Sequence, residues 1–188
     1  MVRKRAAAGL AQAWIEPRGE DAEAVSALAV ARAHLAAGRV LASLRRLRVF
    51  ELSGPLPARG ELEALLHRSI QFYNPQKERC VVRLAPAEIA PVATTEHAVL
   101  VYDRDQERRP AAERWWRHET GTAIEVREGV AWMLGWAQEA RDPIGLTEEL
   151  AVLRDRRHGL LCNPHAQEHR IAGATIPLPW MADLGGTR

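Results

Sequence analysis

Three histidines near the end of this 188-residue sequence come closest to the spacing of a metal site: His158, His165 and His169. A helix would bring the last two, four residues apart, onto one face, whereas on a strand four residues span about 13 Å. Zinc requires each ligand nitrogen to lie about 2 Å away. No glutamate follows His165 as it does in the metalloprotease helix. We therefore predict that this chain holds no metal.

The two cysteines, Cys80 and Cys162, are the next candidates for chemistry. They are too few for a disulfide framework, and they suit a reducing compartment. No Ser-His-Asp or Cys-His signature surrounds them, so we predict that both are core or strand residues. The sequence also has no Gly-x-Gly-x-x-Gly and no Walker loop, which argues against a nucleotide site. It therefore predicts no catalytic residue and no cofactor-binding residue.

The arginines raise the question of nucleic acid. The 26 basic residues are balanced by 24 acidic ones, and the net charge is only +2. The densest group is Arg45, Arg46 and Arg48. We interpret it as a solvated strand face or the rim of an interface. The alternative is a small α+β module that uses this arginine-rich strand for nucleic-acid binding or regulation, with binding that weakens steeply in salt.

Composition sets the class of protein. Hydrophobic residues make up 47% and charged residues 27%, which is typical of a globular chain of one domain or two small ones. No apolar run approaches the roughly 18 to 20 residues of a membrane span. The start, "MVRKRAAAGLAQAW", lacks the apolar core of a signal peptide. We predict a cytoplasmic location.

The tryptophans suggest contacts between parts of the molecule or between subunits. Trp115 and Trp116 are adjacent on a predicted short helix, about 100° apart, so both cannot point into one small core. We expect one of them at a module or subunit contact, and a wide apolar face that half-buries both is the alternative. Trp180 could pin the C-terminal tail to the body or to a partner, but we expect a loose tail.

The elements that must position these residues follow from hydrophobic periodicity. In the first half we predict strands at 11–17 and 80–84 and helices at 20–37 and 60–70. Residues 40–52 alternate, with Leu47 and Val49 on one side and Arg46 and Arg48 on the other, which predicts one long strand or two short ones.

The second half shows the same order of elements after residues 84–97, a linker rich in proline and small residues. We predict a strand at 98–102, a helix at 110–119, strand, turn and strand at 122–134, and a helix at 146–158. The chain is then divided into a first module at 11–83, the linker, a second module at 98–172 and a tail at 173–188.

Each half also contains an Asn-Pro pair before its last strand, beginning at Asn74 and at Asn163. Proline lacks an amide donor and favours an extended residue before it, so we predict that each asparagine ends a helix and redirects the chain into a strand. The alternative is asparagine as an N-cap with proline at the first helical position, which would begin a turn or two of helix.

The repeated order predicts an α+β fold of two tandem split β-α-β modules. Each would be ferredoxin-like, with an antiparallel sheet and both helices on one face. We expect the two sheets to pack against each other by their helical or sheet faces as a pseudo-twofold pair.

Several segments resemble the PurS family. "EPRGEDAEAVSAL" (16–28) is similar to the family's Asp-Pro-Gln-Gly segment and the helix after it, and "LRVFEL" and "VREGVAWML" are similar to its central strand. "LLCNPHAQEHRI" (160–171) resembles its closing Leu-Leu-x-Asn-Pro-x-x-x-x-Tyr segment. The resemblance covers roughly 11–83 and 98–172, and it extends to the amino-terminal region of the large single-chain form of the enzyme, which looks like two PurS units joined. In the second half only Asp105-Gln106 remains of the acidic-Pro-Gln-Gly segment.

The resemblance implies a non-catalytic subunit in de novo purine biosynthesis. PurS belongs to the formylglycinamide ribonucleotide amidotransferase complex (phosphoribosylformylglycinamidine synthase), where it bridges a PurL-type synthetase and a PurQ-type glutaminase for ammonia transfer. The complex would use ATP, Mg²⁺ and glutamine, none of them bound by this chain. The stand-alone subunit forms dimers or tetramers, so a tandem chain would supply that dimer covalently, and a homo-oligomer is possible. Candidate partner-interface residues are Arg46, Arg48, Asn74, Trp115, Trp116 and Asn163.

Overall fold

The computed structural model of the chain describes residues 9–104 and 108–181, so Asp105-Gln106 lies outside the described residues. The elements of the first half are β1 (Gly9–Pro17), α1 (Ala22–His34), a short 3-10 helix (Ala37–Val40), β2 (Leu41–Gly54), α2 (Arg59–Arg68) and β3 (Glu78–Arg83). The second half has β4 (Glu96–Asp103), α3 (Pro110–Thr120), β5 (Glu125–Trp136), α4 (Pro143–Ala151) and β6 (Gln167–Ala172). No helix in the described ranges is long and apolar enough to cross a membrane.

The fold is α+β, as predicted, but its strands form one open sheet. The six strands lie in the order β3-β1-β2-β5-β4-β6 and all neighbours are antiparallel. The expectation of two sheets packed against each other is therefore wrong. β2 pairs with β5 over Leu41–Ser53, and this contact satisfies two long strand edges that would otherwise be unpaired.

The strand register is the same in the two halves. Ile15 of β1 pairs with both Arg48 and Cys80, and Val101 of β4 pairs in the same way with Val130 and His169. Since Arg48 also pairs with Val130, one continuous row crosses all six strands: Cys80, Ile15, Arg48, Val130, Val101 and His169. The row has matching positions on either side of its centre, between β2 and β5.

The four α-helices of the described residues pack on one face of this sheet, which we call the helix face. One hydrophobic cluster contains α2 and α3 with the side chains of Ile15 and Phe50, and a second contains α1 and α4 with Val101 and Trp132. Each cluster thus includes one helix from each half. The boundaries of the two modules stay a prediction.

The opposite face of the sheet, the second face, is covered by chain without regular secondary structure. Ala90 and Val92 of the predicted linker are buried there, together with Ile176, Trp180 and Met181. Trp180 stacks on Trp14 of β1, with ring centroids 6.2 Å apart. The expectation of a loose tail is therefore wrong for residues 173–181, because Trp180 anchors the tail.

Two further local predictions were wrong. Residues 125–136 form a single strand without a turn, because Gly129 continues the ladder opposite Val49. α4 begins at Pro143 and ends at Ala151, so the arginines at 154–157 are not helical. The chain leaves the helix at Val152, which instead forms an isolated parallel bridge with Cys162.

Candidate partner interface

Three arginines meet a set of carboxylates at the centre of the helix face, and we call them the central arginine cluster: Arg46, Arg48 and Arg109. Arg48 donates to Glu78 at 2.9 Å and to the carbonyl oxygen of Phe72 at 2.9 Å, and it lies 3.5 Å from Glu128. Its guanidinium also lies 5.5 Å from the ring centroid of Phe50. Arg48 therefore links β2 to the neighbouring strand β5 and, across β1, to β3.

Arg46 and Arg109 extend the cluster on either side of Arg48. Arg46 forms ion pairs with Asp21 at 3.3 Å and Glu23 at 2.9 Å, and it lies over the ring of Trp132. Arg109 pairs with Glu128 at 2.7 Å. A cleft of about 240 Å³ opens beside both arginines, and its floor includes Trp132. The cluster is thus a half-buried surface of paired charges, with three arginines and four carboxylates, next to an open cleft.

Arg45 lies on the second face, away from Arg46 and Arg48. It forms ion pairs with Glu16 and Glu96, both at 2.7 Å, and donates to the carbonyl oxygen of Pro91. Burial opposes ionisation of Glu96, but the hydrogen bonds from Arg45 and the Ala93 amide outweigh it and lower the pKa of that carboxyl. Arg45 therefore lies on the opposite face of the sheet from Arg46 and Arg48. The three do not form the single basic surface that the nucleic-acid alternative requires.

The two Asn-Pro segments have the same conformation. Each asparagine side chain accepts the backbone N–H of the second residue after it, Gln76 at 3.0 Å in the first half and His165 at 3.1 Å in the second. The carbonyl oxygens of Asn74 and Asn163 each accept an N–H from the fourth residue, at 2.8 Å. Each asparagine thus caps a single hydrogen-bonded turn, so the N-cap alternative is right about the cap, but no helix follows it. α2 and α4 end well before these residues, so the prediction that asparagine ends a helix was wrong, and the following strand is confirmed.

A side chain four residues after each asparagine closes the turn from the other side. The N–H of Asn74 donates to Glu78 at 2.6 Å, and the N–H of Asn163 donates to Gln167 at 3.0 Å. The repeated motif is therefore Asn-Pro-x-x-Glu/Gln. Aligning the two segments of the sequence would have revealed it, since both acceptors stand at the same distance from asparagine.

One arginine in each half holds the turn against the end of the first strand, and sequence reasoning missed this role. Arg18 and Arg104 donate their backbone N–H to the carbonyl oxygen of the third residue after Asn74 and Asn163, at 2.8 and 3.1 Å. Their guanidinium groups donate to the proline carbonyl oxygens, both at 3.3 Å. The only sequence signal is that each arginine directly follows the last residue of β1 or β4.

The adjacent tryptophans on α3 have different environments. Trp116 is fully buried and donates to the Thr122 hydroxyl, whereas Trp115 is partly exposed and meets the ring of Phe72 edge-on at 6.0 Å. Phe72 belongs to the first half, so Trp115 forms a contact between the two halves. Its exposed part, together with the exposed Asn74 and Asn163, remains a candidate for subunit contact.

The histidines and cysteines do not assemble into a site. His158 bonds with Asp155 at the surface, His165 lies in the Asn-Pro turn and His169 lies on β6. No group of three or more potential metal ligands occurs among residues 9–104 and 108–181. Burial raises the pKa of the Cys80 thiol to about 12 and also raises that of Cys162. Both are strand or core residues, as predicted.

Comparison with known proteins adds no family to this description. The chain matches no protein-family model, no curated protein and no solved structure.

Proposed function

We propose that this chain is a PurS-like, non-catalytic subunit of the formylglycinamide ribonucleotide amidotransferase complex. It consists of two tandem PurS-like modules and bridges the PurL-type synthetase and the PurQ-type glutaminase. In this role it contributes assembly and the handover of ammonia, while the other subunits bind ATP, Mg²⁺ and glutamine and perform the bond chemistry.

The repeated register is the observation that carries the proposal. Ile15 pairs with Arg48 and Cys80 in the same register in which Val101 pairs with Val130 and His169. In both Asn-Pro turns the asparagine side chain accepts the backbone N–H of the second residue after it. This is the arrangement expected of a dimer whose subunits have been joined in one chain. Joining gives the second unit a high effective concentration, so the pair does not have to reassemble.

The continuous sheet also suits a bridging role. Ammonia transfer between two active sites requires subunits held in a fixed orientation, and a six-stranded sheet covered on both faces is a rigid platform. The two halves expose different residues at equivalent places, for example His165 in one turn where the other has Gln76. A duplicated platform of this kind can therefore present one surface to the synthetase and another to the glutaminase.

Reconstitution tests the proposal. The purified chain would be mixed with the cognate synthetase and glutaminase, and turnover would be measured with glutamine and, separately, with ammonium as the nitrogen source. We expect omission of the chain to abolish glutamine-dependent turnover and to leave ammonium-dependent turnover largely intact. Equal glutamine-dependent turnover with and without the chain would exclude the assignment.

A further inference from the structure

The outward side of α1 carries no charged residue between Glu23 and Arg32. Val25 and Val30 are 52% and 40% exposed, and the same side includes the exposed small residues Ala22, Ser26, Ala29 and Ala33. The opposite side of the helix is buried through Ala24 and Ala31. Over its middle two turns α1 is therefore uncharged all round, a pattern that is typical of a helix covered on all sides. Within the described chain the outward side has no cover.

α3 provides an internal comparison, because it follows the first strand of the second half as α1 follows that of the first. Its exposed side carries Arg114, Arg117 and His118. An uncharged outer surface is thus not a general property of this element in the fold. Of these two helices only α1 has an uncharged outer surface, which indicates that α1 contacts another molecule.

We propose that α1 packs antiparallel against α1 of a second copy of this chain. Residues 22–33, "AEAVSALAVARA", have nearly the same sequence of residue kinds in both directions. In a twofold antiparallel pair, residues at equal distance from the centre lie at the same level, so Val25 is level with Val30 and Ser26 with Ala29 of the other copy. Each level then holds residues of matching kind.

The charges at the ends of α1 favour this orientation. Glu23 lies in the first turn, and Arg32 and His34 lie in the last turn. Antiparallel pairing places the acidic end of one helix beside the basic end of the other and opposes the two helix dipoles. The Glu23 side chain is 67% exposed and already pairs with Arg46. Arg32 already donates to the carbonyl oxygens of Leu41 and Ala42, so an ion pair between copies would be an additional bond for both residues.

The residues at the centre of the contact determine how close the helices come. Ser26 and Ala29 have small side chains, so the two backbones can approach closely. The contact between two 13-residue helices buries less surface than a standard interface, which buries about 1,600 Å² in total. We therefore expect a reversible dimer. Its population should rise across the micromolar range of concentration, on the order of 1 to 500 μM.

Sedimentation equilibrium of the full chain tests this interface without any other subunit. We expect Ala29→Glu and Ala29→Lys each to be monomeric, because two like charges would meet at the centre. An equimolar mixture of these two variants should recover the dimer. The matched control is Ala64→Glu, which adds the same charge at an exposed alanine of α2 and should dimerise like the parent chain.

Several results would overturn the inference. One is a parent chain that stays monomeric over the whole concentration range. Another is an Ala29→Glu variant that dimerises as strongly as the Ala64→Glu control. Failure of the mixed variants to associate would exclude the antiparallel contact. Circular dichroism of each variant checks that the chain is folded, which we expect because Ala29 is exposed.

Discussion

Arg48 and Val130 pair directly across the boundary between β2 and β5, and they occupy equivalent positions in the two halves. The row of paired residues that crosses the sheet therefore has its centre at this pair. The two side chains are nonetheless very different, since one is a guanidinium with three partners and the other an aliphatic group. Arg48 forms ion pairs with one carboxylate from each half, Glu78 and Glu128.

Replacing Arg48 with alanine should destabilise the fold. The change leaves the half-buried carboxylates of Glu78 and Glu128 without their shared donor, and we expect a loss of about 1–3 kcal/mol in the free energy of unfolding. Urea unfolding measures it. Arg79→Ala, at an exposed position of β3, is the control and should change the value by less than about 0.5 kcal/mol. Equal effects of the two substitutions would show that the central ion pairs contribute nothing.

The Asn-Pro turns should contribute equally to stability. Asn74→Ala and Asn163→Ala each remove a side-chain acceptor from a turn, and we expect each to lower the free energy of unfolding by about 1 kcal/mol. The two turns share no partner, so the double variant should show the sum. Aspartate at either position keeps the acceptor and should restore most of the stability. Loss at only one turn would contradict their equivalence.

The tail should behave as part of the core. Trp180 is 1% exposed and stacks on Trp14, so Trp180→Ala should lower the free energy of unfolding by about 3–5 kcal/mol. Near-ultraviolet circular dichroism should report the lost tryptophan pair. Ile89→Ala is the control, because Ile89 is 86% exposed and its truncation should have little effect. A Trp180 variant as stable as this control would support the loose tail instead.

The tail also predicts a dependence of stability on pH. Glu51 is buried and accepts the backbone N–H groups of Trp180 and Met181, and its burial raises its pKa. A raised pKa in the folded state means that the contribution of Glu51 to stability is full below its unfolded pKa of about 4.3 and is lost as pH rises through the folded value. The amide of Glu51→Gln has no such titration.

Unfolding of the parent chain and Glu51→Gln by urea, from about pH 4 to about pH 8, measures this effect. We expect the stability of the parent relative to the variant to fall as the pH rises. A difference that is constant, or that changes in the opposite direction, would mean that the carboxylate is not destabilised by burial. Burial is the largest effect on the Glu51 carboxyl, and it outweighs Gln12 and Arg127, which favour the charged form and lower the pKa.

Local sequence patterns predicted those parts of the fold that depend on neighbouring residues. The alternation of residues 40–52 correctly predicted that Leu47 and Val49 face away from Arg46 and Arg48, because strand side chains alternate by geometry. The same reasoning failed at Gly129, since a glycine can continue a ladder or end it, and only the partner strand decides.

Long-range contacts could not be predicted in this way. Nothing in the periodicity of β2 or β5 indicates that the two edges join, and Trp180 gives no local signal that its partner is Trp14, far away in the sequence. Among the residues that form the Asn-Pro turns, the sequence singled out Asn74 and Asn163 but not Arg18 and Arg104. Their bonds to the turns come from strand ends brought together only by the fold.

The transfer of nitrogen tests the proposed bridging role most directly. The synthetase, the glutaminase and this chain would be supplied with formylglycinamide ribonucleotide, ATP, amide-¹⁵N glutamine and an excess of unlabelled ammonium, and the product would be analysed by mass spectrometry. We predict ¹⁵N in the amidine group of the product when the chain is present and mainly unlabelled nitrogen when it is omitted. Equal labelling in the two reactions would contradict a role for this chain in ammonia transfer.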